Sequence, residues 1–144
     1  MSELILVRGL PGSGKTTFGY KISLEVHAAD DYFEKSGSYV FDANKLPEAH
    51  ADCQERVGNA LEANDGPVVV TNTFSCRWEM EPYFQMGARH GADVTVVDLF
   101  DAGMLDIWLA ERGLHNVPVN KIHEMRQRWE HNWGNGNPLP PWER

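Results

Sequence analysis

The sequence is poor in cysteine, in basic residues and in long apolar runs, and each shortage excludes a class of protein. Its 144 residues include two cysteines, Cys53 and Cys76, which are too few for a disulfide framework and are typical of a reducing cytoplasm. No apolar run approaches the roughly 18 residues that a membrane span requires. The first run, residues 4–7, leads into a glycine-rich loop, which is not the pattern of a secretory signal. We therefore expect a cytoplasmic protein (in the host cytoplasm if it is viral) with no membrane partner.

The shortage of basic residues limits which nucleic-acid partners are plausible. Thirteen Lys and Arg stand against 21 Asp and Glu, which gives a net charge of −8. Residues 25–65 carry ten carboxylates and three basic side chains, and residues 112–131 form the one base-rich stretch. A protein that grips long duplex DNA by neutralising phosphates would be more basic. Weak or transient contact with nucleic acid, through the base-rich stretch, remains compatible with this balance.

Apolar runs alternate with amphipathic segments along the chain. This alternation predicts a single α/β domain with a parallel sheet flanked by helices, spanning residues 1–133 and followed by an extended or disordered Gly/Asn/Pro-rich tail over residues 134–144. The apolar runs lack polar alternation, so we expect both faces of the sheet to be covered. Strands are predicted over residues 4–8, 27–29, 67–70 and 94–99, and helices over residues 16–26, 46–63, 77–90 and 119–133.

The glycine-rich loop after the first strand carries the clearest functional signal. Residues 9–17 read GLPGSGKTT, which fits the phosphate-loop pattern G-x-x-x-x-G-K-[ST] between a strand and a helix. Its backbone N–H groups can curl around phosphates, Lys15 can reach the β- and γ-phosphates, and the Thr16 hydroxyl can bind Mg²⁺. We therefore predict ATP and Mg²⁺ as cofactors. The residues predicted to hold ATP are Gly9, Leu10, Pro11, Gly12, Ser13, Gly14, Lys15, Thr16 and Thr17.

Acidic and polar side chains follow the next two strands, at the sheet edge where the phosphate loop also lies. Asp30 and Asp31 come after the short second strand; such carboxylates can accept a proton from a hydroxyl group, hold Mg²⁺ or cap a turn. The segment 71–73, Thr-Asn-Thr, could orient substrate or metal-bound water, or cap the following helix. Asp98 lies within an apolar run and is predicted to be structural.

Several further segments complete a pattern that resembles a known family. They are YVFD at 39–42, the spacing His50-x-x-Cys53, Asn72-Thr73, Glu79-x-x-Pro82-Tyr83 and Arg112-x-x-His115-x-Val117-Pro118. With the phosphate loop and the acidic pair, they look like the polynucleotide-kinase-like P-loop kinases, over roughly residues 3–133. The resemblance implies transfer of the γ-phosphate of ATP to a hydroxyl group, with Lys15 and Thr16 binding the triphosphate and Mg²⁺, Asp30 as general base, and Arg112 as a lid arginine that contacts ATP. From its position after the second strand, Asp31 is predicted as a further metal ligand.

Two departures from that family point to a particular acceptor. Ala29 and Phe33 stand where the phage polynucleotide 5′-kinase has arginines, one of which holds the phosphate next to the accepting 5′ end. Small phage kinases that phosphorylate 5-hydroxymethyluracil within DNA resemble this chain better, and imply DNA as the acceptor. The alternatives are a kinase for a polynucleotide 5′-hydroxyl, a nucleoside or a small metabolite, and a non-catalytic ATP-binding regulatory module.

A flipped base would need aromatic rings on which to stack. The candidates are Tyr32, Phe33, Tyr39, Phe41 and Phe74, for each of which core packing is the preferred interpretation. His50 and Cys53 are expected to be part of the framework rather than half of a metal site. Arg126, in the base-rich stretch, is a second candidate for neutralising the transferred phosphate. Trp142 either packs against the domain or meets a partner.

Overall fold

Four parallel strands form one sheet in the computed structural model, which describes residues 2–35 and 37–144. The strands are β1 (Glu3–Gly9), β2 (Val26–His27), β3 (Val68–Asn72) and β4 (Asp93–Phe100). Their order across the sheet is β2-β3-β1-β4, so β1 and the loop that follows it are central. The single α/β domain with a parallel sheet flanked by helices is confirmed.

Five α-helices connect or follow these strands within the described ranges. They are α1 (Lys15–Tyr20), α2 (Leu46–Ala63), α3 (Arg77–Arg89), α4 (Asp106–Arg112) and α5 (Val119–Gln127). Short 3-10 turns occur at Ala29–Glu34, Ala43–Lys45, Trp133–Asn135 and Pro141–Glu143. In the part of the chain that the structure describes, no helix combines the length and the apolar character that crossing a bilayer would take.

Two apolar clusters hold these elements together. The larger one joins β1 and β3 to α2 and α3, and the smaller one joins Leu10 of the glycine-rich loop to Leu109, Ile122 and Trp129. Burying such side chains supplies most of the stability of a domain. The smaller cluster has a positional consequence: it fixes α4 and α5 against the loop that follows β1.

Coverage of the sheet is less complete than the sequence predicts. All five residues of β3 are buried, as expected for a central strand, whereas none of the eight residues of β4 is. The difference follows from position, because β4 lies at the edge of the sheet and pairs only with β1. Its outward-facing side chains therefore remain partly in solvent.

The prediction of a helix over residues 16–26 is wrong beyond Tyr20. The amides of Lys21 and Ile22 bond to carbonyls three residues back, which tightens and ends the helix. The Ser23 hydroxyl then donates to the Pro67 carbonyl at 2.7 Å and accepts from the Glu25 amide at 3.0 Å. These bonds turn the chain into β2, so a tertiary contact overrides the apolar spacing.

The C-terminal third departs from the predicted single helix in two ways. The sequence interpretation missed α4, a seven-residue helix in which only Leu109 is buried, so that its apolar periodicity is weak. The helix predicted over 119–133 ends at Gln127, and the following chain crosses to the sheet, where the Glu130 amide donates to the Ser75 carbonyl at 2.8 Å. Trp129 nonetheless packs in the smaller cluster as the pattern indicated.

Arg8 is a buried charge at the centre of this crossing. Its guanidinium donates to the Asp98 carboxylate at 2.9 Å and to three backbone carbonyls at 2.9–3.0 Å. It also lies 4.0 Å from the ring centre of Trp129. Burial lowers the pKa of Arg8, while the Asp98 carboxylate opposes that shift. Asp98 thus has the structural part that the sequence predicts, as the partner of Arg8.

The segment after residue 133 is not simply extended. It contains two short turns, and the Trp142 ring meets Trp78 edge-on with the ring centres 5.3 Å apart. Trp142 itself stays largely exposed. The predicted boundary between a domain over residues 1–133 and a tail over residues 134–144 stays a prediction.

Candidate functional site

The loop between β1 and α1 has the backbone shape that a phosphate-binding loop needs. Gly12 and Gly14 adopt left-handed φ angles of +83° and +96°, which side-chain-bearing residues rarely tolerate. The Lys15 ammonium group folds back and donates to the carbonyls of Gly9 and Leu10, at 2.9 and 3.2 Å. The loop thus brings a cation to the carboxyl end of the central strand.

The electrostatics of the loop fit an anionic ligand. Burial lowers the pKa of Lys15 to about 8, and the Asp30 carboxylate opposes that shift. Within the described ranges, the buried Ser13 hydroxyl has no hydrogen-bond partner. Thr16 and Thr17, at the start of α1, are exposed, so their hydroxyl groups are accessible. A phosphate group would satisfy these donors, and the Thr16 hydroxyl has the oxygen chemistry that Mg²⁺ accepts.

The helix α4 packs directly on this loop. A Cβ atom at Gly12 would collide with the backbone carbonyl of Leu109, so Gly12 is required for close approach as well as for its φ angle. Arg112 lies one turn further along α4, is exposed, and donates to the Met104 sulfur at 3.3 Å. Arg112 thus lies on the helix that packs against the phosphate loop, and its role as a lid residue stays a prediction.

Asp30 lies in the 3-10 turn that follows β2. The turn is fixed to the end of β3, because the Ala29 amide donates to the Asn72 side-chain oxygen at 2.8 Å. Asn72 therefore positions the acidic turn, a role that neither sequence interpretation of residues 71–73 included. The Asp30 side chain is 47% exposed, and it is near enough to Lys15 for its charge to raise that lysine's pKa.

Groups from three other segments surround Asp30. The Tyr39 hydroxyl lies 3.4 Å from Asp30 Oδ1, and the His115 Nε2 atom lies 3.9 Å from Asp30 Oδ2. Burial, with Asp30 adding to it, raises the pKa of Tyr39, so its phenol stays protonated and donates. His50, on α2, is also near: desolvation lowers its pKa and the Asp30 carboxylate opposes this.

Asp31 points away from this group. Its carboxylate accepts from the Ala28 amide at 3.0 Å and lies 3.5 Å from the Arg56 guanidinium. The first bond caps the turn that carries Asp30. Asp31 as a metal ligand stays a prediction, and it would require the carboxylate to leave these partners.

The aromatic candidates separate into core and surface residues. Phe33 and Phe74 are buried in the larger cluster, as preferred from the sequence, and Tyr32 donates to the Glu48 carboxylate at 2.7 Å. Phe41 is half exposed and packs edge-on against Phe33. Among the five, Tyr39 contacts Asp30.

Cys53 has the buried position expected of a framework residue, whereas His50 is exposed on the same helix, so its framework role stays a prediction. Cys53 is buried, and burial raises its pKa, as it does for Cys76. Within residues 2–35 and 37–144, no group of three or more His, Cys, Asp or Glu side chains could hold a metal ion.

Part of the base-rich stretch is neutralised by neighbouring carboxylates. Arg126 pairs with Asp101 at 2.7 Å and Asp106 at 2.8 Å, and this pairing raises its pKa. Lys121 and His123 also face carboxylates. Arg126 therefore ties α5 to Asp106 at the start of α4 and to Asp101 in the preceding turn. His115 belongs to one of the sequence motifs, but the sequence predicts no role for it, because no local spacing indicates that it reaches Asp30.

Comparison with known proteins identifies the family of this chain. A family model described as an AAA domain matches residues 4–131. Human NEDD4-binding protein 2 is 34% identical over a match that covers 88% of this chain and 8% of that protein, so the chain spans less than a tenth of that relative.

Solved structures share the fold at low sequence identity. A gluconokinase from Sinorhizobium meliloti 1021 aligns with a TM-score of 0.61 and 20% identity, covering 92% of this chain and 78% of that one. A tunicamycin resistance protein from Deinococcus radiodurans aligns with a TM-score of 0.53 and 14% identity, covering 89% and 80%. Because the family model matches most of its length, this chain belongs to the AAA domain family, with a fold shared by P-loop kinases.

Proposed function

We propose that this protein is a P-loop kinase that transfers the γ-phosphate of Mg-ATP to a hydroxyl group. One observation carries the proposal: the cation of the phosphate loop, after β1, and an accessible carboxylate, after β2, lie at the same edge of the sheet, on either side of the end of β3. Burial lowers the pKa of Lys15, the charge of the Asp30 carboxylate offsets part of that shift, and the Asp30 side chain is still 47% exposed. A phosphate held by Lys15 would thus sit beside a group that can take a proton.

The reaction follows from these positions. The loop amides and Lys15 hold the triphosphate of ATP, and Asp30 accepts the proton of the acceptor hydroxyl as its oxygen attacks the γ-phosphorus. The new bond joins that oxygen to phosphorus, the bond from phosphorus to the β,γ-bridging oxygen breaks, and ADP leaves. Mg²⁺ held by Thr16 would neutralise charge on the phosphates.

Arg112 is assigned to the lid. Its exposed guanidinium is held by the weak acceptor Met104 Sδ, so reaching the phosphates would cost little. In that position it would stabilise the charge that develops during transfer, and α4 would help exclude water from the loop.

The first candidate acceptor is the hydroxymethyl group of 5-hydroxymethyluracil in phage DNA. The family resemblance suggests it, and the replacement of the 5′-end arginine by a buried Phe33 argues against the polynucleotide 5′-hydroxyl. The Tyr39 ring, whose hydroxyl lies 3.4 Å from Asp30 Oδ1, supports an acceptor that presents a base.

The second candidate acceptor is a small molecule such as a nucleoside or a metabolite. The net charge of −8 favours it, as does the pairing of Lys121, His123 and Arg126 with carboxylates, since these three cations are partly neutralised before any phosphate arrives. A non-catalytic ATP-binding module is the remaining alternative.

Transfer from γ-labelled ATP with Mg²⁺ tests these candidates. The acceptors are duplex DNA containing 5-hydroxymethyluracil, the same duplex with thymine, a 5′-hydroxyl oligonucleotide, and a panel of nucleosides and polyols. Label on the modified base supports the first candidate, and label on a small molecule supports the second. If no acceptor gains label and ATP is nonetheless bound, the kinase proposal fails in favour of a binding module.

A further inference from the structure

Two rings from distant parts of the chain stack beside Asp30. Tyr39 belongs to the loop after the acidic turn, and His115 to the connection between α4 and α5. Their ring centres are 3.9 Å apart and their planes differ by 18°. This separation is that of two rings in face-to-face contact, which leaves no space for a third ring between them.

Both rings also lie close to the carboxylate of Asp30, which we assign as the general base. The Tyr39 hydroxyl lies 3.4 Å from one oxygen of Asp30, and His115 Nε2 lies 3.9 Å from the other. A flat group that replaced either ring would therefore lie within reach of Asp30. The 23% exposure of the His115 side chain shows that the stack is accessible from solvent.

The two rings differ in how firmly they are held. Tyr39 packs edge-on against the buried Phe33, with ring centres 6.2 Å apart, and the next amide, that of Val40, donates to the Phe33 carbonyl at 2.9 Å. His115 instead lies between Leu114, which is 81% exposed, and Asn116, which has a left-handed φ of +54°. Tyr39 is thus anchored to the core, and His115 is on a surface connection.

We propose that Tyr39 is the stacking platform for a planar acceptor ring that carries the reactive hydroxyl group, and that His115 occupies this platform until the acceptor replaces it. The inference rests on the proposed kinase function and deepens it, because it names the acceptor class: a hydroxyl-bearing compound with a planar aromatic ring, presented as a base in DNA or as a free nucleoside. Displaced from the stack, His115 frees the face of Tyr39 while the Tyr39 hydroxyl still orients Asp30.

Steady-state kinetics with four variants test this proposal. The acceptors are 5-hydroxymethyl-2′-deoxyuridine, a duplex containing that nucleotide, and the non-planar hydroxyl compounds gluconate and glycerol. The variants are Tyr39→Leu, Tyr39→Phe, His115→Ala and, as a matched control, Tyr20→Leu, which removes a half-exposed tyrosine from α1. The duplex and the free nucleoside distinguish the two sources of the ring.

The expected results follow from losing or freeing one ring face. Tyr39→Leu raises KM for the planar acceptor roughly tenfold to a hundredfold, the effect typical of losing one stacked base, and leaves KM for ATP unchanged. Tyr39→Phe keeps KM within about threefold, since the ring face remains. His115→Ala lowers KM for the planar acceptor because its competitor is gone. Tyr20→Leu changes neither constant.

Several outcomes would overturn the proposal. If Tyr39→Leu leaves KM for the planar acceptor unchanged, Tyr39 is not the stacking platform. If His115→Ala raises KM for the planar acceptor, His115 is not displaced by it. If gluconate or glycerol gains label and no planar acceptor does, the proposed kinase function stands and the proposal of a planar acceptor ring is refuted.

If the wild type labels nothing, the kinase proposal fails. The ring proposal is then decided by equilibrium dialysis of labelled 5-hydroxymethyl-2′-deoxyuridine against the wild type and Tyr39→Phe, which retain binding, and against Tyr39→Leu, which loses it. Equal binding to all three refutes it.

Discussion

The two halves of the candidate site are built in opposite ways. The phosphate-binding half is one contiguous segment, residues 9–17. Its shape is determined by the backbone, through the left-handed φ angles of Gly12 and Gly14. The acceptor half is assembled from side chains of separate segments, namely Asp30, Tyr39 and His115. Chemistry carried by a local backbone can be read from a sequence, whereas chemistry assembled by tertiary contacts needs the fold.

We expect the largest effect from a substitution in the scaffold that supports both halves, and it should appear as a loss of folding stability. Arg8→Met removes a buried guanidinium that bonds to Asp98 and to three carbonyls. We expect the free energy of unfolding to fall by about 3–5 kcal/mol, as for other broken buried ion pairs. Urea denaturation measures it, with the exposed Arg89→Met as the control. A loss below about 1 kcal/mol would show that Arg8 is not central to the crossing.

The phosphate-binding half is tested by Lys15→Met. Removing the only side-chain cation of the loop should weaken ATP binding by roughly a hundredfold to a thousandfold, the usual cost of deleting a charge-stabilising donor. Calorimetric titration with ATP measures this, and the fold should be retained because Lys15 bonds only to carbonyls of its own loop. Ordinary ATP affinity in this variant would contradict the assignment of the loop.

The contrast explains which parts of the molecule the sequence could predict. The phosphate loop, α2 and the central strands follow from local spacing and composition, and all lie where expected. The apolar spacing continues past Tyr20 and predicts more helix, but the Ser23 bond to Pro67 turns the chain away. The helix α4 buries only Leu109, so it leaves little periodic signal. The Asp30 neighbours Tyr39 and His115 share no local pattern, so only the fold could bring them together.

Asn72 connects the acceptor half of the site to the sheet, because it holds the acidic turn to the end of β3. Asn72→Ala should lower the free energy of unfolding by about 1–3 kcal/mol, because it leaves the Ala29 amide unsatisfied. Transfer should fall while ATP affinity stays the same, since the phosphate loop is untouched. The exposed Asn59→Ala is the control for helix α2. A variant that loses ATP affinity together with transfer would mean that the two halves are not separable.

The pH dependence of ATP binding gives the smallest effect. The pKa of Lys15 is lowered to about 8 in the free protein, and bound phosphates would raise it. Above pH 8 the protein must take up a proton to bind ATP, so the affinity should fall by up to about tenfold per pH unit. Titrations at several pH values measure this slope, and Lys15→Met should abolish it.

The same group affects folding stability with the opposite sign. The lysine of the unfolded chain keeps its proton up to its ordinary pKa of 10.5, so the unfolded state binds more protons between pH 8 and 10.5. The contribution of Lys15 to the free energy of unfolding should therefore rise with pH across this window. A contribution that falls there would contradict the burial of the ammonium group.

The separation of the two halves is tested most directly by one variant, Asp30→Asn, assayed for ATP affinity and for phosphate transfer in the same preparation. The account predicts ATP affinity within about threefold of the wild type and transfer slowed by roughly a hundredfold to ten-thousandfold, the range of a lost general base. Asp65→Asn, which neutralises an exposed carboxylate outside the site, serves as the matched control. Transfer that survives in Asp30→Asn would contradict Asp30 as the proton acceptor, and with it the proposed acceptor half of the site.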